Sequence, residues 1–355
     1  MSSYSLSGLL AVCNRDPGTV DCGAITLGLA LPLLSDQPTS RGMSLGWHLS
    51  RLLAALPAGQ VGLRFDRFGQ VCGFAAWARV SRTVSTRLLR HGSDDLQPWE
   101  WLSGDETWLL ELIVRHGQLP LMLTSLRDEW LRETEQVTYF RFKHGRRIAK
   151  RLKRADRHAL FREARPLAAP PRHFLCTHEA EGLRFSAVNA LQAALELGEV
   201  AQLARHTPAL AELPLPLALG RLRVAQNLRQ QRVYRGADGR LCGYLSWAWI
   251  DQALIEGGLP EPHQLPAPQW NEGRHLVLCD AIATPTGLPL LIEDLRAGIF
   301  PGEPLWLRTA PPGQPLAPAV QMDVDALDRL LDPADTRAPI INLLHRLQAL
   351  QGALV

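Results

Sequence analysis

The sequence predicts an α+β protein made of two tandem copies of one domain, each with a largely antiparallel sheet. Two observations carry this. Matching residues recur 170 positions apart, and each copy reads out the same order of elements. Leu27-Gly28 through Pro38 aligns with Leu197-Gly198 through Pro208, and VCGFAAWA around Cys72 and Trp77 aligns with LCGYLSWA around Cys242 and Trp247. The offset then becomes 169: Trp101, Gly104 and Glu111 match Trp270, Gly273 and Asp280, and Leu126-Arg127 matches Leu295-Arg296. Such a period is too long for a solenoid repeat and is the size of a whole domain.

The element order follows from periodicity. Leu45, Leu49, Leu52, Leu53 and Leu56 have amphipathic helical spacing across Ser44 to Leu56. Val61, Leu63 and Phe65 alternate, turn residues follow at Asp66 to Gly69, and a second strand runs Val71 to Val80; together these read as a hairpin. The second copy repeats the order: helix Leu217 to Leu228, strand Arg232 to Arg235, turn Gly236 to Gly239, strand Leu241 to Ile250. Each copy then gives a tryptophan with a glycine turn, an apolar strand (Thr107 to Val114; His275 to Ala283), a helix containing Leu-Arg, and a strand with an arginine, Arg141 or Arg308. The boundaries expected are a first repeat over 1–165, a proline-rich linker over 166–179 and a second repeat over 180–355.

Composition narrows the class. With 355 residues, 46 % apolar and 21 % charged, the chain can bury two cores and has the balance of a soluble globular protein. The longest uncharged apolar run, Gly23 to Leu34, is too short to span a bilayer, and the first ten residues lack a basic region, so a cytoplasmic protein is expected. Six cysteines show no metal-ligand spacing, and Cys72 and Cys242 read as small core residues. Trp77, Trp101, Trp247 and Trp270 recur in register, a pattern that also reports core packing. Between Arg141 and Arg165 stand eleven Lys/Arg against Asp156 and Glu163. That run is either a solvated helix face or a field for an acidic partner. Without aromatic interleaving or a known motif it does not point to nucleic acid.

Several motifs together resemble the toxin-activating lysine acyltransferases, which activate haemolysin-type RTX protoxins. They are LPAGQ, GFAAWA, the W-x-SGD-x-x-W pattern at Trp101, Ser103, Gly104, Asp105 and Trp108, YFRF, and LGEVAQL at Leu197 to Leu203. The resemblance implies two acetyltransferase-like (GNAT-like) domains in tandem. It implies transfer of a fatty acyl group from acyl carrier protein to a lysine of a protein acceptor, with the carrier thioester as co-substrate and no bound cofactor. Such chemistry needs a base for the amine and stabilisation of an oxyanion. The family uses a histidine near the end of its first helix and an aspartate in the strand after the W-x-SG turn.

Neither repeat keeps both. The histidine slot falls on Ser40 in repeat one and Leu210 in repeat two; the aspartate slot falls on Glu111 and Asp280. His48 and His206 are the candidate stand-ins, and a transferase is expected to rely on Asp280 with His206 while repeat one acts as scaffold and docking surface. Arg141 and Arg308 are candidate holders of a phosphopantetheine phosphate or a carrier helix. Arg146, Arg147, Lys150 and Arg151 are expected to attract the acidic carrier. The competing expectation is a pseudo-enzyme that binds a protein through the inherited cleft. Fusion of two copies also allows a monomer acting as an internal pseudo-dimer.

Overall fold

The computed structural model describes residues 21–38, 42–65, 71–92, 96–115, 117–143, 146–156, 177–300, 302–308, 319–322 and 341–343. Contacts divide the chain into two compact units, 1–34 with 48–195 and 35–47 with 196–355.

In the first unit the helices α1 (Cys22–Ser35, of which residues 22–34 belong here) and α2 (Leu45–Ala55, of which residues 48–55 belong here) precede a hairpin of β1 (Val61–Phe65) and β2 (Val71–Val80). After α3 (Arg82–His91) come β3 (Glu106–Val114), α4 (Leu119–Ser125) and a second hairpin of β4 (Gln136–Lys143) and β5 (Arg146–Lys153). The sheet order is β1-β2-β3-β4-β5, antiparallel except where β3 and β4 run parallel. The basic run is therefore partly an edge strand, not the helix face that charge spacing alone allowed; residues 157–165 lie outside the described residues.

The second unit repeats the plan. The helices α5 (Thr177–Ala204, of which residues 196–204 belong here), α6 (Pro208–Ala211) and α7 (Leu215–Asn227) lead into β6 (Gln231–Arg235) and β7 (Leu241–Ile250). Then follow α8 (Gln252–Gly257), β8 (His275–Ala283), α9 (Leu288–Ala297), β9 (Leu305–Arg308), β10 (Ala319–Gln321) and β11 (Ile341–Asn342). The path β10-β9-β8-β7-β6 mirrors the first sheet, with β8 and β9 the parallel pair. Two like sheets, one per half, bear out the duplicated α+β reading.

The duplication extends to irregularities that a hydrophobic pattern does not show. Register shifts occur between Arg64 and Phe65 and between Tyr234 and Arg235, leaving Cys72 and Cys242 as the extra residues. A second pair of shifts leaves Leu110 extra in β3 and Cys279 extra in β8. A bulge re-aims the side chain that follows it. In both copies that next residue is the carboxylate, Glu111 or Asp280.

The glycine turns are also explained. A Cβ on Gly104 would lie 2.6 Å from Ser81 Cα, and one on Gly273 would lie 1.8 Å from the Ile250 carbonyl carbon. Only glycine allows each turn to close onto the preceding strand. Trp77, Trp101, Trp247 and Trp270 are 4, 2, 4 and 1 % exposed, so the repeated tryptophans are core.

One difference separates the sheets. The parallel pairing stops early in both, at Leu109 with Tyr139 and at Val277 with Trp306, so the strands part beyond it. In the second unit β11 then pairs with that freed edge of β8, Ile341 opposite Ala283 and Asn342 opposite Ile282. Leu343 follows into the core cluster, fully buried. Among the described residues no strand takes the corresponding edge of β3.

Candidate functional site

The carboxylate position is the natural starting point, and each copy meets it with an arginine. Arg51 on α2 and Arg221 on α7 are themselves equivalent residues, 170 apart. In the second unit the pairing is tight. Arg221 Nε donates to Asp280 Oδ2 at 3.1 Å, and its Nη2 donates to Oδ1 at 2.6 Å and to the Cys279 carbonyl at 2.5 Å. Ser246 Oγ donates to Asp280 Oδ2 at 2.7 Å. Both charged side chains are about 95 % buried, at 5 and 4 % exposure. In the first unit Arg51 Nη2 lies 3.9 Å from Glu111 Oε1, and Glu111 is 27 % exposed. Arg51 also stands over the Trp101 ring, 5.7 Å from its centre. The serine has no counterpart there, because Ala76 occupies its place.

The stand-in histidines fall apart from Asp280. His206 sits at the exposed end of α5, where Arg205 Nε donates to its Nε2 at 2.9 Å. Partial burial, and then the Arg205 charge, hold its pKa below the usual histidine value. No hydrogen bond or ion pair joins His206 to Asp280, whose oxygens are engaged by Arg221 and Ser246. His48 lies one helical turn before Arg51 on α2 and is 4 % exposed, on the face that buries Leu45 and Leu52. Leu210, in the family's histidine slot, is a core residue at 1 % exposure. Ser40 lies outside the described residues.

A histidine that the sequence reading passed over does approach this cluster. A short 3-10 turn, Pro262–Gln264, packs against α7 and carries His263. His263 Nδ1 is 3.3 Å from Glu261 Oε2, with side-chain exposures of 12 and 18 %. Burial lowers its pKa, Glu261 raises it, and the Arg221 and Arg308 charges lower it further. Arg308, at the end of β9, is 6 % exposed and donates from Nε to the Leu259 carbonyl at 3.0 Å. It thereby ties down the loop that carries Glu261 and His263. Cys279 and Tyr244 are buried beside Asp280, and burial pushes both well above the range in which they ionise. His263 was hard to find by sequence because nothing equivalent stands in the first copy and no motif surrounds it.

The arginines thus divide. Arg308 faces the interior, whereas Arg141 is exposed on β4. On β5, Arg147, Lys150 and Arg151 are exposed, and the Arg146 side chain lies outside the described residues. Arg147 stacks over Phe140 at 4.8 Å, and Phe140 packs on Trp108 at 5.1 Å. From Gln136 to Lys153 the sequence holds seven basic residues and no acidic one. Among the described residues no group of three or more His, Cys, Asp or Glu could hold a metal ion. No described helix is long and apolar enough to cross a membrane.

Each half thus carries a carboxylate just past a bulge in its third strand, Glu111 in β3 and Asp280 in β8. The model of the RTX toxin acyltransferase family (HlyC) matches residues 23–155 and again 189–314. The chain belongs to that family, in a tandem arrangement. Comparison with curated proteins gave no match.

Proposed function

We propose that the chain is a protein acyltransferase that moves a fatty acyl group from acyl carrier protein to a lysine of a protein acceptor, with its chemistry in the second unit. The observation that carries the reading is the locked Arg221–Asp280–Ser246 group at the family's carboxylate position. A saturated, ion-paired Asp280 is not a proton acceptor. In this reading Asp280 fixes Arg221 through Nε and Nη2, and the remaining Nη1 is the nitrogen left for an oxyanion forming at the thioester carbonyl. Preorganised charge in a buried setting costs little rearrangement at the moment of reaction.

The basic β4–β5 hairpin of the first unit suits the acidic carrier. Arg141, Lys150, Arg151 and Lys153 are its exposed cations among the described side chains, while Arg147 is partly committed to Phe140. Edge-strand lysines and arginines also guard against sheet-to-sheet aggregation, so salt dependence separates the two roles. The test is to incubate the protein with carrier charged with a labelled fatty acid and an RTX-type protoxin. Label appearing in amide linkage on the acceptor supports the reading.

A second reading rests on the same ion pair. A sealed Arg–Asp pair is also what a purely structural site contains, and it favours a binding module derived from an enzyme. Carrier binding without any transfer of label would select it.

A further inference from the structure

Both copies lack the family's histidine, yet the second unit places another one against the Arg221 helix. We infer that His263, beside Glu261, is the proton acceptor of the second unit. The inference rests on the transfer reading above and names the residue that reading leaves open.

The geometry has three parts. First, Glu261 Oε2 lies 3.3 Å from Nδ1, an ion-pair contact without a hydrogen bond, so the carboxylate stands beside the imidazole and acts on it electrostatically. The distance is loose, as such contacts often are before substrate binds. Second, the turn is held rigidly. Gln264 Oε1 accepts from the Glu261 backbone N–H at 3.3 Å, Glu261 closes the reciprocal cap, and Arg308 grips the Leu259 carbonyl. Third, His263 sits at the boundary of the cluster. Arg221 and Asp280 are sealed at 5 and 4 % exposure, while His263 at 12 % and Glu261 at 18 % keep contact with the surface. The ionisable groups facing the imidazole are Glu261, Arg221 and Arg308. Burial first, and then Arg221 and Arg308 against Glu261, hold its pKa below the usual histidine value, which favours the neutral form a base requires.

The step balances without any further reagent. The lysine amine attacks the thioester carbonyl carbon, forming a C–N bond. Its proton passes to the His263 imidazole. Collapse of the tetrahedral intermediate breaks the C–S bond, and the proton leaves His263 with the carrier thiol. Amide and thiol are the products.

The experiment measures single-turnover transfer from palmitoyl-charged carrier to an RTX-type protoxin, using the full chain. His263→Gln and His263→Ala should each slow transfer about 10²–10⁴-fold with unchanged thermal melting. Added imidazole should restore part of the rate to His263→Ala, which a packing role would not allow. Glu261→Gln should cost less and move the acid limb of the pH profile to lower pH, since that carboxylate raises the histidine pKa. If the unmutated chain transfers label and the His263 variants match it, the inference is overturned and the transfer reading stands. Loss of rate with neither imidazole rescue nor a moved pH limb in Glu261→Gln makes His263 structural and also overturns it. If the unmutated chain transfers nothing, the transfer reading fails and the inference falls with it.

Discussion

At the scale of residues the two copies differ most in how their carboxylates are held, and stability should report the difference. Removing one partner of a buried ion pair leaves the other charge uncompensated, at a cost of about 3–5 kcal/mol. Asp280→Ala should therefore lower the melting temperature by on the order of 10 °C, as read by calorimetry. Glu111→Ala breaks a long, part-exposed contact and should cost about 1 kcal/mol or less. Equal losses would mean that the two pairs are equally structural. A third carboxylate gives a pH signature. Glu100 bonds Arg87, which holds its pKa below the usual glutamate value. A depressed carboxylate pKa adds stability above the unfolded-state value, near 4.3, and that stability is lost as pH falls through the folded value. Glu100→Gln should accordingly flatten the fall in stability below about pH 5, seen in denaturant midpoints across pH; an unchanged slope would show that the bond carries no linkage.

At the scale of elements, two segments carry predictions. Replacing Arg141, Lys150 and Arg151 by glutamate, with Arg147 left in place against Phe140, should weaken carrier binding about tenfold or more and reduce its dependence on salt. Binding that keeps its strength and salt slope would make the hairpin a solvated edge. β11 lies on the parted edge of β8, and the fully buried Leu343 anchors it. Leu343→Ala should cost about 2–5 kcal/mol and speed amide exchange at Ile282 and Ala283. Much of this element level was legible beforehand. Alternation and turn residues gave the β1–β2 hairpin, the repeat gave β6–β7, and the paired tryptophans gave the core, because burial writes itself into apolar spacing; the β4–β5 hairpin, rich in charge, was not read. β11 was not legible: two residues carry no period, and its partner strand is almost sixty residues away in sequence.

At the scale of the whole molecule, the duplication was plain because register is conserved over a domain's length. The site was only half legible. The carboxylate position could be placed by motif, but its burial and its arginine could not. Arg51 and Arg221 lie on helices far in sequence from β3 and β8, and nothing local marks them as partners. His263 was invisible for the same reason, since the turn that carries it packs against the Arg221 helix from a distant part of the chain. The expected pairing of Asp280 with His206 followed from spacing along one helix, whereas the sheet commits Asp280 to Arg221 and Ser246.

The central claim is acyl transfer by this tandem member of the RTX toxin acyltransferase family, and one measurement addresses it most directly. Carrier charged with an isotopically labelled palmitoyl group would be mixed with the full chain and an RTX-type protoxin, and the acceptor analysed by mass spectrometry after hydroxylamine treatment. The account predicts a hydroxylamine-stable palmitoyl amide on a lysine, formed by the unmutated chain and lost in His263→Gln. A carrier that keeps its label in the presence of the unmutated chain, with no amide on the protoxin, would contradict it.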